Sequence, residues 1–224
     1  MSAWKERFDA TVTGCRLCPR LVAWREQVAR DKKREFRDWD YWGRAVPSFG
    51  ESDARLLIIG LAPAAHGANR TGRMFTGDQS GRWLYRALHK AGFADQPTWE
   101  RKDDGLRLID CYITAVCHCA PPDNKPLPVE MTNCSQYLTE ELGRLRRVKV
   151  VICLGRIAFA AYHKARGISP LPAFGHDHVH GTNPVVIASY HPSQQNTRTG
   201  KLTEAMFDAV FARAASLLSS DKGG

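Results

Sequence analysis

The sequence has no opening apolar stretch of the signal-peptide kind, and no apolar run in it approaches the ~18 residues that a membrane span needs. A cytoplasmic protein without a membrane partner is the expectation. Internal repeats and low-complexity segments are missing too, apart from a short polar end at 220–224 expected to be a flexible tail. Acidic residues are outnumbered, with 23 Asp and Glu against 32 Lys and Arg. The formal charge of +9 favours a polyanionic partner such as nucleic acid. What remains is 224 residues, 43% of them hydrophobic, enough for one domain with a proper core.

Reactive groups are scarce where they would be expected. The stretch "GLAPAAHGANRTGRMFTGD" (60–78) follows an apolar run, yet it offers only His66, the amide Asn69 and the carboxylate Asp78 beside its two arginines. It lacks the G-K-[ST] ending of a phosphate loop and the glycine spacing of a dinucleotide fingerprint. Its small residues let a ligand approach the backbone closely.

The first fifty residues are charged and interspersed with tryptophan, and they read as a helix over 19–34 followed by a polar aromatic loop holding Trp39, Tyr41 and Trp42. Burial of those rings against the main domain competes there with contact to bases and phosphates. From residue 54 apolar runs alternate with amphipathic segments. Strands are expected over 54–60, 107–118, 149–155 and 184–193, with helices over 80–93, 128–147, 156–167 and 201–218. The pattern predicts an α/β fold, a three-layer α/β/α sandwich around a mainly parallel four-stranded central sheet. An N-terminal segment (1–50) of helix and aromatic loop would pack on a main α/β domain (51–219). Ligands in such folds bind outside the carboxyl ends of the strands.

Seven cysteines in a reducing compartment argue for metal binding over disulfides, and the odd number leaves at least one plain thiol. Cys15 and Cys18 form a C-x-x-C at a helix start, and Cys119 and Cys134 bound a proline-rich loop. Four thiolates can converge, although spacing does not choose between zinc and an iron–sulfur cluster. Cys111, Cys117 and Cys153 lie in apolar strands as buried thiols.

Taken together, "GLAPAAHGANRTGRMFTGD", "HCAPPDNKP", "HPSQQNTRTGKLT" and "CRLCPRL" resemble the motifs of the uracil-DNA glycosylase superfamily, specifically its family 5, the iron–sulfur branch of bacteria and archaea. The resemblance covers essentially the whole chain from Cys15 onward. It implies a monofunctional DNA glycosylase of base-excision repair that flips a base, hydrolyses its N-glycosidic bond and leaves an abasic site. It also assigns Cys15, Cys18, Cys119 and Cys134 to one structural 4Fe-4S cluster. The implied partner is double-stranded DNA containing deaminated bases, or single-stranded DNA, and a monomer is expected.

A glycosylase must stabilise an anionic leaving base and orient water at an oxocarbenium-like sugar. His191, just past an apolar strand, would donate to the developing charge on a pyrimidine carbonyl. Backbone N–H groups around Gly60, Ala62, Pro63 and Ala64 would line the pocket, and Phe75 matches the family position that stacks on the flipped base. Relatives carry an acidic or amide side chain at the position of Ala62, so Asp78 and then Asn124 become the candidates for orienting water. Asp78 also suits an N-cap, and Asn124 suits a turn between prolines. Where strict uracil readers carry asparagine, this chain has Ala115, which predicts broader use that includes hypoxanthine and some modified pyrimidines. The loop holding Ser193, Gln194, Gln195, Arg198 and Lys201 would enter the minor groove and contact phosphate, with Gln194 or Gln195 as the wedge. The rival expectation is a cluster-bearing nucleic-acid-binding protein that has lost catalysis, favoured by Ala62 and Ala115.

Overall fold

A computed structural model describes residues 2–220. Four strands form the centre of its sheet: β2 (Leu56–Gly60), β3 (Cys111–Ala115), β4 (Val150–Leu154) and β6 (Val185–Ser189), all parallel, in the order β3-β2-β4-β6. Successive side chains of a strand point to opposite faces, and here both faces are covered. Leu56 and Ile58 enter one core with Leu84 and Leu88 of α4 (Gln79–Lys90) and Phe207 and Phe211 of α8 (Glu204–Ser220). Leu57 and Ile59 enter the other with Leu138 of α5 (Pro128–Arg144) and Phe159 and Tyr162 of α6 (Arg156–Ala165). The three layers are those expected.

The sheet has six strands, not four. β1 (Phe49–Gly50) joins β3 antiparallel at one edge, and β5 (His178–His180) joins β6 antiparallel at the other. Two residues, and a His-Val-His run with its first two residues exposed, carry no apolar period to read. β1 also ties the 1–50 segment into the sheet.

That segment contains α1 (Ala3–Thr13), α2 (Pro19–Asp31) and a 3-10 turn at Arg34–Phe36. α1 escapes a pattern reading because its buried stripe, Lys5, Phe8 and Val12, begins with a charge. α2 starts at Pro19, where proline's fixed φ suits the first turn, and ends before Lys32, whose φ of 48° breaks the helix short of residue 34. Phe8, Val12 and Leu21 pack with Tyr137 of α5 and with Cys119. Two further short helices, α3 (Ala68–Thr71) and α7 (Gln194–Arg198), sit inside stretches expected as loops. The polar end beyond Ser220 lies outside the described residues.

One carboxylate is wholly buried between these parts. Glu141 of α5 accepts hydrogen bonds from the hydroxyls of Ser48, Tyr112 and Thr114, and so joins the residue before β1, strand β3 and a helix. Burial outweighs those bonds and raises the Glu141 carboxyl from 4.5 to about 7. The folded chain thus keeps a proton that the unfolded chain releases, and Glu141 withdraws stability as pH rises from 4.5 through about 7. Glutamine keeps the shape and hydrogen-bonding capacity of the neutral acid. Glu141→Gln is expected to melt with the wild type under acid conditions and on the order of 5 °C above it in mild alkali, as scanning calorimetry will show.

Candidate active site

The carboxyl ends of the parallel strands converge on a small set of side chains. Gly60 ends β2 in register with Ala115, which ends β3, and both are buried. Phe75 covers Gly60 so closely that a Cβ on the glycine would stand 2.7 Å from the ring. Phe75 itself has a φ of 54°, a conformation that non-glycine residues rarely adopt, and its carbonyl rests against Gly81 in the first turn of α4. A Cβ at Gly81 would lie 1.6 Å from the Phe75 oxygen, so only glycine at 81 leaves Phe75 where it is.

His191 reaches the same place from β6. Its ring stacks on Phe75 with centroids 6.1 Å apart and planes inclined by 28°. The Asn196 side chain donates to the His191 carbonyl at 2.8 Å, and Gly155 at the end of β4 leaves room beside the His191 Cβ. Burial pulls the imidazole down to about 4, so it stands neutral near pH 7. A neutral imidazole can donate a hydrogen bond but is not a ready proton donor.

The 60–78 stretch is held by more than small residues. Ala62 is half-buried against the α5–α6 side of the sheet, Pro63 is buried, and the Ala64 carbonyl accepts from the N–H groups of Gly67 and Asn69. Among the described residues, no acceptor is paired with the Ala62 and Ala64 N–H groups. His66 pairs with the Tyr41 hydroxyl at 3.1 Å. Sequence reasoning passed over Arg70 and Arg73. Arg70 donates to the His66 and Gly77 carbonyls, its guanidinium 3.8 Å from the Phe36 ring centre and 4.0 Å from that of Trp39. Arg73, buried, forms a two-point pair with Asp104 at 2.7 and 2.8 Å. The arginines were visible in "NRTGRMF", but the carboxylate partner of Arg73 lies 31 residues away.

Asp78 caps α4, with Oδ1 accepting the Gly81 N–H at 2.8 Å and Oδ2 lying against Gly67. Desolvation raises its carboxyl above the usual range despite these bonds and the charge of Arg70. Asn124 is exposed in a turn after Pro121 and Pro122, with a φ of 56°. No hydrogen bond among the described residues draws its amide toward Phe75 and His191. Ser193 caps α7 by accepting the Asn196 N–H, which makes a helix of what was expected as a loop. Gln194, Gln195 and Arg198 are exposed on it, and the Lys201 ammonium sits 4.8 Å from the Tyr190 ring centre.

A 169-residue span, 47–215, matches the model of the family described as the uracil DNA glycosylase superfamily. The chain belongs to that superfamily, in its type-5 branch. It is 50% identical over 219 residues to the type-5 uracil-DNA glycosylase of Thermus thermophilus, covering 95% of this chain and 98% of that one. The type-5 enzyme of Mycobacterium bovis is 49% identical over 215 residues, covering 94% and 80%, and that of Pyrobaculum aerophilum 44% over 213, covering 95% and 92%.

In this type-5 chain Cys15, Cys18, Cys119 and Cys134 line one small cavity between α2, the turn before it and α5, walled by Leu21, Val22, Ala45 and Tyr137. N–H donors reach three of the four sulfurs: Arg25 to Cys119 at 2.8 Å, the His118 backbone to Cys134 at 3.4 Å, and Asn133 to Cys18 at 3.6 Å. Burial pushes the Cys119 thiol up to about 12. Among the described residues, no three His, Cys, Asp or Glu side chains are drawn together tightly enough for a single metal ion. Cys111, Cys117 and Cys153 are buried, as expected of core thiols.

Proposed function

We propose that the protein is a DNA glycosylase that flips uracil out of DNA, hydrolyses its N-glycosidic bond and leaves an abasic site. The observation that carries this is the stack of Phe75 and His191, with Phe75 lying over Gly60 at the strand end where Ala115 is in register, an aromatic face and a neutral imidazole at the mouth of the sheet. The base enters beside Phe75. His191 donates to its carbonyl oxygen as negative charge develops, and the unpaired N–H groups of Ala62 and Ala64 add donors that need no reorganisation. The Ala115 methyl contributes no hydrogen bond to the pyrimidine edge, so hypoxanthine and some modified pyrimidines are also substrates. Gln194, Gln195, Arg198 and Lys201 on and after α7 face the DNA, with Ser193 ordering them. The chain acts as a monomer on duplex DNA containing deaminated bases.

Duplexes carrying one uracil, hypoxanthine or modified pyrimidine, incubated with purified protein and then cleaved with alkali, test this. Scission at uracil is expected, and none at any lesion would leave only a DNA-binding protein on the same scaffold.

Water is oriented by Asp78 through Oδ2, the oxygen that its cap bond leaves over. Asparagine caps a helix as well as aspartate does but carries no charge. Asp78→Asn is expected to lose on the order of 10²-fold in kcat for uracil with an unchanged melting temperature. Full activity would remove Asp78 from the chemistry and make Asn124 the next candidate.

The four cysteines suit a 4Fe-4S cluster by the chemistry of their donor set. Its ligand set is all thiolate, as such clusters use, and the N–H donors around it offset thiolate charge. The cluster would serve as a clamp joining the N-terminal helices to α5. Iron and acid-labile sulfide per chain, with the broad visible absorption of a brown protein, are the expected readouts, whereas colourless protein with stoichiometric zinc would overturn the assignment.

A further inference from the structure

The backbone that delivers His191 is anchored by a second histidine. β6 ends in register with β4 at Ser189, whose carbonyl accepts the Gly155 N–H at 2.7 Å. His191 follows two residues later, so the chain between them sets where its imidazole stands. The N–H of Tyr190, the first past the ladder, has no backbone acceptor among the described residues. It donates instead to Nδ1 of His176, at 3.2 Å, in the turn that leads into β5.

The other ring nitrogen of His176, Nε2, faces the Met206 carbonyl of α8 at 3.3 Å. A backbone N–H can only donate and a carbonyl can only accept. Both contacts therefore require the same neutral imidazole, bare at Nδ1 and protonated at Nε2. Burial lowers the His176 imidazole below its ordinary value, which favours that neutral form near pH 7. The ring also lies against Tyr190, with centroids 5.1 Å apart and planes inclined by 32°, and Phe174 meets the Tyr190 ring at 6.2 Å. One half-buried imidazole thus ties the residue before His191 to α8 by two hydrogen bonds and a ring contact.

We infer that His176 is a positioning residue for His191. This role rests on the proposed donation by His191 to the departing base and adds a residue that acts through it. Both nitrogens of His176 are engaged by backbone, which leaves neither for the substrate. The two sides of His191 are held separately, the preceding residue by His176 and its own carbonyl by the Asn196 side chain at 2.8 Å. Releasing the first hold lets the Tyr190 peptide turn, and the His191 ring leaves its stack on Phe75.

Two variants separate the hydrogen bonds from the packing. His176→Phe keeps a ring against Tyr190 and removes both bonds, whereas His176→Gln carries an acceptor and a donor on one planar group. Each is made in the wild-type and in the His191→Ala background, with melting temperatures taken so that uracil excision is assayed on folded protein. His176→Phe is expected to lower kcat on the order of tenfold with KM little changed, and His176→Gln to restore most of the loss. In the His191→Ala background His176→Phe should cost less than about twofold, because no imidazole is left to misplace. An equal loss in both backgrounds would show a general structural role and overturn the inference. The His191 ring resonances, followed by proton–carbon NMR, need no activity. They should shift in His176→Phe and return toward the wild type in His176→Gln, and unmoved resonances in His176→Phe would also overturn the inference. A wild type that excises no uracil while those resonances shift would instead overturn the glycosylase function and leave the positioning of His191 standing.

Discussion

His191→Ala is expected to lower kcat for uracil excision by about 10²- to 10³-fold, equivalent to roughly 2.7–4 kcal/mol of transition-state stabilisation, with little change in KM. On the proposed function the imidazole would be a single donor to the developing charge, on a stack with Phe75 and with the Asn196 side chain bonded to its carbonyl. Losing it leaves the flipped base bound but its departing charge poorly solvated. His191→Gln, which supplies a neutral N–H, should recover part of the loss.

The pH dependence separates a neutral donor from an acid. Burial holds the imidazole neutral down to about 4, so kcat should show no loss on the alkaline side of 6.5 from this group, where an imidazolium acid would switch off. Between 6.5 and about 4 the unfolded chain binds the proton and the folded chain does not, so His191 withdraws stability as pH falls through that window. A kcat profile that falls on passing above 6.5 in the wild type, and not in His191→Gln, would show that the imidazole acts as an acid.

How far the sequence announces all this depends on how local each cause is. The four central strands are legible because sheets covered on both faces need unbroken apolar runs, as at Leu56–Gly60 and Val150–Leu154. β1 and β5 are not, because an edge strand is defined by its neighbour and not by its own period. The Asp78 cap is legible, being a bond across three residues. The cover of Phe75 on Gly60 and its stacking on His191 are not legible, since no periodic pattern relates residues 60, 75 and 191 and the family motifs imply only that Phe75 stacks on the flipped base. Arg25 shows the limit most clearly. On α2 it looks like one more surface charge, and its meaning depends on a cysteine 94 residues away.

That arginine gives the second large expected effect. Arg25 is buried, donates to the Cys119 sulfur at 2.8 Å and to the Cys15 carbonyl at 2.9 Å, and has no carboxylate partner among the described residues. A buried guanidinium without an anion is costly, and a buried thiolate without a cation equally so. Burial by itself keeps the Cys119 thiol protonated, at about 12, so the pair would be complete when iron takes the place of the proton and the sulfur is a thiolate. Arg25→Met keeps the length of the side chain and its packing while deleting the charge and both donors. It is expected to retain less than about a tenth of the wild-type iron and sulfide, because removing one partner of a buried charged pair costs about 3–5 kcal/mol, more than the 1.4 kcal/mol that makes a factor of ten. Arg25→Lys, which preserves charge without the fork, should fall between. The consequence reaches the base pocket, since the Arg25 carbonyl accepts from the Asn69 amide, and Asn69 sits in the 60–78 stretch. Loss of the clamp should therefore raise KM for DNA and expose the N-terminal helices to proteolysis before it lowers kcat. If Arg25→Met binds a full complement of iron with wild-type resistance to chelators, the guanidinium is packing alone and the charge balance at Cys119 comes from the remaining N–H donors.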